Sequence, residues 1–222
     1  MARYDTTIAR PVSTGIEVNK VLKNTYALLS LTLLFSALMA GVAMAMNWPH
    51  PGIVITLVGY FGLLFLTQKF RNSSLGLLFI FALTGFMGIT LGPIVNMYLN
   101  AFSNGHQLVL TAMGGTGVIF LGLSGYVLTT KKDFSFLGGM LMVGILVAFL
   151  AGIGALIFSL PALSLAVSAM FVLLMAGLIM YQTSAIIHGG ETNYIMATVT
   201  LFITIYNLFT SLLHIFGLFG DE

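Results

Sequence analysis

The feature that most constrains this chain is where its charged side chains are missing. Between Thr25 and Phe219, Lys, Arg, Asp and Glu occur only at Lys69, Arg71, Lys131 to Asp133 and Glu191. The intervening stretches read as seven spans: Thr25 to Met46, Pro51 to Gln68, Leu75 to Leu99, Gln107 to Thr129, Phe134 to Ser159, Leu163 to Ile187 and Ile195 to Phe219. Most reach the roughly 20 apolar residues that a helix needs to cross a bilayer; the second is short. No charge divides the fifth from the sixth, yet one helix over both would be about 80 Å long, so the chain must turn between them. Pro161 is the natural place, because it lacks an N–H and disfavours helix in the residue before it.

Composition agrees with a bilayer as the solvent. Hydrophobic residues make up 59% and charged residues 6%, against about 45–50% and about 25% in soluble domains. The absence of cysteine removes disulfides, thiolate nucleophiles and thiolate metal sites, and leaves four histidines as the strong nitrogen ligands. The sequence suggests no cofactor. A formal net charge of +2 is too small to suggest nucleic acid.

Seven spans put alternate loops on opposite sides, and the basic residues then segregate. Arg3, Arg10, Lys20 and Lys23 precede the first span, Lys69 and Arg71 follow the second, and Lys131 and Lys132 follow the fourth. The opposite loops carry no Lys or Arg, and the chain ends in Asp221 and Glu222. The positive-inside tendency therefore predicts a cytoplasmic amino end and an outside carboxyl end. The first span is longer than a signal-peptide core of about 7–15 residues, so the chain reads as a polytopic membrane protein. Residues 1–24 are polar and mixed in charge, and read as a mobile cytoplasmic tail.

No Asp, Glu, Lys or Arg lies within a span, which argues against proton pumps and many secondary transporters. The seventh span carries a polar stripe of Thr200, Thr204, Asn207, Ser211 and His214, whose spacing puts them on one helical face. The stripe predicts either interhelical hydrogen bonds that place this span at the centre of the bundle, or a polar path. Small residues form further faces: Gly85, Gly88 and Gly92; Gly114, Gly117 and Gly125; Gly144, Ala148 and Gly152. They predict close helix packing within the bundle, with a homo-oligomer interface as the alternative. Pro93 predicts a kink or break in the third span, with Thr90 or Asn96 helping to satisfy freed carbonyls.

An enzyme reading has one foothold. Gly122 to Gly125 spell G-x-S-G and His188 closes the sixth span, similar to the serine and histidine of rhomboid proteases. The topology puts Ser124 roughly 10 Å inside the membrane from the edge where His188 lies, on the side opposite to a rhomboid opening. The reading is therefore non-enzymatic.

Three stretches, Asn19 to Ala37, Thr129 to Leu141 and His188 to Leu213, together resemble the Bax inhibitor-1 family, most closely its bacterial YccA-like branch. The resemblance implies an all-α integral membrane protein, a seven-helix bundle with the last helix central. It also implies a bacterial inner-membrane location and a role in binding and negatively modulating the ATP-dependent membrane protease FtsH. Other members of the family act as pH-sensitive calcium leak pathways, which makes a cation leak the competing expectation. The family's sensor is a pair of aspartates on the last two helices, and the matching positions here are Gln182 and Thr204. Paired carboxylates share a proton and offer a divalent ion hard oxygens. Gln182 and Thr204 offer neutral oxygens only, so acid gating by this pair is not expected, although the two could hydrogen-bond across the helix interface.

Overall fold

The computed structural model describes residues 15–218 and Gly220. Seven α-helices follow one another: α1 (Gly15–Ala45), α2 (Ile53–Lys69), α3 (Ser74–Ala101), α4 (Gly105–Thr130), α5 (Leu137–Ile157), α6 (Pro161–Ile187) and α7 (Tyr194–Leu218). Each expected span has become one helix, and no strand occurs among the described residues. The chain is a helical membrane bundle. Six helices are long and apolar enough to cross a bilayer. The 17 residues of α2 make about 26 Å of helix, a mismatch that local thinning and the long Lys69 side chain can absorb.

The amino-terminal boundary differs from expectation. Residues 1–14 lie outside the described residues, but the chain is already helical from Gly15, so the polar stretch read as loose over 1–24 is helix in its last ten positions. Charge had suggested a tail because Glu17, Lys20 and Lys23 do not belong in lipid. Lack of lipid compatibility does not prevent a helix, and Glu17 in the first turn favours one through the helix dipole. At 31 residues, α1 is about 46 Å long and outreaches the roughly 30 Å hydrocarbon layer.

The other ends have local causes. Ser159 adopts a left-handed φ of 50° in the turn between α5 and α6. Pro161 then opens α6, where a missing N–H costs nothing. Helix α5 starts later than the expected Phe134: residues 134–136 form a turn closed by the Leu137 amide on the Phe134 carbonyl, and the Phe134 amide bonds to Ser184. Of the kink or break expected at Pro93, a break does not occur: α3 continues through it as one helix. Thr90 and Asn96 do not take up the freed carbonyl: Thr90 donates to the Met87 carbonyl, and Asn96 accepts from Asn100.

Helix α7 is the centre of the bundle. It packs on α1, α3, α4 and α6 and buries more than half of its residues, whereas α5 buries only Leu141, Ala148 and Ala155. The loop between α2 and α3 meets the start of α7 through Asn193, whose Nδ2 donates to the Arg71 carbonyl and Asn72 Oδ1. The loop between α4 and α5 meets the end of α6. The described basic residues therefore share one end of the bundle.

The glycine faces separate into two kinds. A Cβ on Gly88 would collide with the Ser36 carbonyl, and one on Gly92 would lie 2.7 Å from the Ala40 carbonyl, so α1 and α3 touch backbone to backbone. A Cβ on Gly144 would lie 2.6 Å from Leu174, and Ala148 is fully buried. The expected tight packing fails on α4, where Gly114, Gly117 and Gly125 have no neighbouring helix within 4 Å of a Cβ.

Candidate functional site

Helices α6 and α7 carry seven of the fifteen buried polar residues of the described chain, and their arrangement decides what chemistry is open to the protein. Along α7, the Thr204 hydroxyl donates to the Thr200 carbonyl at 2.7 Å and Asn207 Nδ2 to the Ile203 carbonyl at 2.8 Å. Such back-bonding satisfies a polar side chain on its own helix, where lipid offers no water. Thr200 and Ser211 make no side-chain hydrogen bond to a described residue. His214 alone of the stripe reaches another helix: its Nδ1 lies 2.8 Å from the Ser168 hydroxyl of α6.

Interhelical bonds of α7 come instead from residues beside the stripe. The Thr198 hydroxyl shares its proton between the Tyr194 carbonyl of α7 at 2.7 Å and the Thr25 carbonyl of α1 at 3.2 Å, and the Tyr206 hydroxyl lies 3.2 Å from Thr90 of α3. A tyrosine in the middle of an apolar span was the sequence signal for the second contact, because a phenol in lipid needs a partner. Nothing local could say that the partner was Thr90.

Gln182 is 5% exposed, and its Nε2 is buried with no hydrogen-bond partner among the described residues. It does not bond to Thr204. The neighbouring Thr183 hydroxyl lies 3.3 Å from Tyr26 of α1 and 3.5 Å from Ser124 of α4. Thr25 Oγ1, also buried, has no partner among the described residues. The Tyr26, Ser124 and Thr183 hydroxyls from α1, α4 and α6 thus meet in a neutral seam. No grouping of three or more His, Cys, Asp or Glu side chains that could hold a metal occurs among the described residues.

Ser124 and His188 do not meet. Ser124 faces Thr183, while His188 folds back so that its Nδ1 lies 2.9 Å from the Ser184 carbonyl. Ser184 is the fastening point of the basic end: its hydroxyl accepts from the Phe134 amide at 2.9 Å and donates to the Lys132 carbonyl at 3.3 Å. In the same loop, the Ser135 amide donates to Asp133 at 2.8 Å. That bond, with help from the Ser135 hydroxyl, holds the Asp133 carboxyl below its ordinary range. At the same end lies a cleft of about 420 Å³ between the start of α1 and the α6–α7 turn, lined by Glu17, Lys20, Asn24, Glu191 and Tyr194 among others.

Comparison with known proteins adds a context to this geometry. Residues 18–221 match the family model described as inhibitor of apoptosis-promoting Bax1. An Escherichia coli K12 protein named modulator of FtsH protease YccA is 52% identical over 91% of this chain and 91% of its own length. An uncharacterised Pseudomonas aeruginosa protein is 55% identical over 93% of this chain and 92% of its own. A Vibrio cholerae membrane protein is 44% identical over 93% of each.

Proposed function

This chain belongs to the Bax inhibitor-1 family, and from that membership we propose that it binds an FtsH-type ATP-dependent membrane protease and negatively modulates it. The observation that carries the reading is similarity along nearly the whole chain to a protein named as a modulator of that protease. In this reading the role is that of a modulator and not of an enzyme, in keeping with the name of that relative.

A physical route to modulation follows from the contrast between the two parts of the chain. ATP-driven proteases pull on a terminal segment; residues 1–14 precede α1 in sequence, and α1 begins at the basic end, where Glu17, Lys20 and Glu191 line a cleft. Pulling α1 out would strip its backbone contact with α3 and expose polar groups to lipid, a cost of several kcal/mol for each unmet group. A protein that is engaged by its end and slow to be extracted occupies the protease and delays other substrates. In this reading the amino end and the loop at Lys131 and Lys132 face the cytoplasm, and the carboxyl end faces the periplasm.

Purification in mild detergent tests the partner directly, with the protease expected to come down with the chain. Removing residues 2–14 leaves α1 whole and is expected to preserve membrane insertion while abolishing turnover by the protease. Unchanged turnover of the shortened chain overturns the handle. For orientation, a reporter active only outside the cytoplasm is expected to work after Glu222 and fail after Lys132.

A further inference from the structure

A second cavity, unrelated to the basic end, lies halfway across the bundle. Helix α2 packs on α3 and α5 packs on α6, but neither α2 nor α3 packs substantially on α5 or α6. Between the two pairs is a groove of about 620 Å³ floored by α7. Its walls are apolar and ring-rich, with Phe61, Phe86, Phe149 and Phe171 joined by Met142 and Met175. Four polar side chains, Tyr60, Thr90, Tyr206 and Asn207, line it at and beside this floor, from near the midpoints of α2, α3 and α7; Thr56 also lines the groove, with its hydroxyl on the Gly52 carbonyl.

The hydrogen-bond inventory of that floor is incomplete. Thr90 gives its proton to the Met87 carbonyl, so the contact with Thr90 is donated by Tyr206. Asn207 uses Nδ2 on the Ile203 carbonyl, leaving Oδ1 without a partner among the described residues. The Tyr60 hydroxyl likewise has none. A free donor and a free acceptor therefore face a cavity at a depth where lipid supplies neither.

Size and depth select the occupant. A phospholipid carries its polar groups at the membrane surface, so its tails cannot answer Tyr60 and Asn207. A transmembrane helix would need a groove across the roughly 30 Å hydrocarbon layer. This one runs along α5 only from Met142 to Phe149 and along α6 only from Phe171 to Leu178, about 10 Å each. A volume of 620 Å³ falls in the range of about 300–1,000 Å³ typical of small-molecule sites. Phenylalanine faces and adaptable methionines suit a flat ring.

We propose that this groove binds a compact, bilayer-soluble molecule whose ring carries a hydroxyl or carbonyl oxygen, held between the phenylalanines with its oxygen on Tyr60 and Asn207. The chemistry is that of phenols and quinols. The ligand enters sideways from the lipid, between α2 and α5.

Photolabelling with 4-hydroxybenzophenone tests the proposal on the full chain in lipid nanodiscs. Labelling is expected to saturate, to map to Met142 or Met175, and to be displaced by excess 4-phenylphenol. Tyr60→Phe combined with Asn207→Leu is expected to raise the half-saturating concentration about tenfold. Leu146→Trp provides a second test that leaves the floor intact: Leu146 lines the groove and is 57% exposed, so an indole there closes the mouth and is expected to abolish saturable labelling. Met97 and Met113, exposed residues that do not line the groove, serve as controls for labelling from lipid. Labelling that fails to saturate, that spreads equally to Met97 and Met113, or that survives Leu146→Trp overturns the site.

Discussion

The Ser184 hydroxyl, 1% exposed near the end of α6, accepts a hydrogen bond from the Phe134 amide at 2.9 Å and so ties the α4–α5 loop to the α6–α7 corner. Its own proton goes to the Lys132 carbonyl, so the His188 Nδ1 that lies 2.9 Å from the Ser184 carbonyl must carry a proton and donate it. Ser184→Ala removes the acceptor and leaves the Phe134 amide unpaired, a loss of about 1–3 kcal/mol. Hydrogen exchange is expected to speed up at Phe134 while the core of α7 stays protected. Unchanged protection at Phe134 would show that the loop is held by something else.

The same loop has a predictable acid response. Asp133 is held below its ordinary range by the Ser135 amide and is fully exposed. A carboxylate with a depressed folded pKa contributes order above its unfolded value and loses it as pH falls through the folded one. The Ser135 amide is thus expected to stay protected from neutral pH down to about pH 4 and to exchange faster below. Asp133→Asn keeps an acceptor oxygen and is expected to remove the pH dependence. Loosening already at about pH 6 would point to a different titrating group.

Two glycines that look alike in sequence should respond in opposite ways. Gly88→Ala drives a methyl into the Ser36 carbonyl and is expected to cost about 1–3 kcal/mol through overpacking. Gly114 has open space at its Cβ, so Gly114→Ala is expected to be neutral, or stabilising by up to about 1 kcal/mol through helix propensity. Thermal unfolding in detergent compares them. Equal losses would mean that the α4 face is packed against something in the membrane.

The buried pair Gln182 and Thr204 sets an expectation for ion flux. With no carboxylate at either position, calcium flux in liposomes is expected to be low and flat between about pH 6 and 8. Gln182→Asp together with Thr204→Asp puts acids at the two positions that match the family's aspartate pair, where like charges close together raise a pKa, and is expected to introduce acid sensitivity. Strong acid-sensitive flux from the unmodified chain would assign the pathway to other groups.

Helix order, the single end shared by the described basic residues and the turn at Pro161 were all legible in the sequence. Each depends on local hydropathy, charge or backbone chemistry, and lipid enforces these without reference to neighbours. The helical start at Gly15 was hidden because charge reports what enters lipid and not what is helical. Contacts were hidden for a different reason. Gly88 and Gly114 have the same local chemistry, and only the approach of α1 distinguishes them. Tyr206 and Thr90 are 116 residues apart, and no periodicity on either helix names the other. Gln182 stood out through the family resemblance, but that its Nε2 has no partner among the described residues is a property of everything packed around it. The groove between α2 and α5 belongs to no single segment: it exists because two helix pairs each pack well and do not meet.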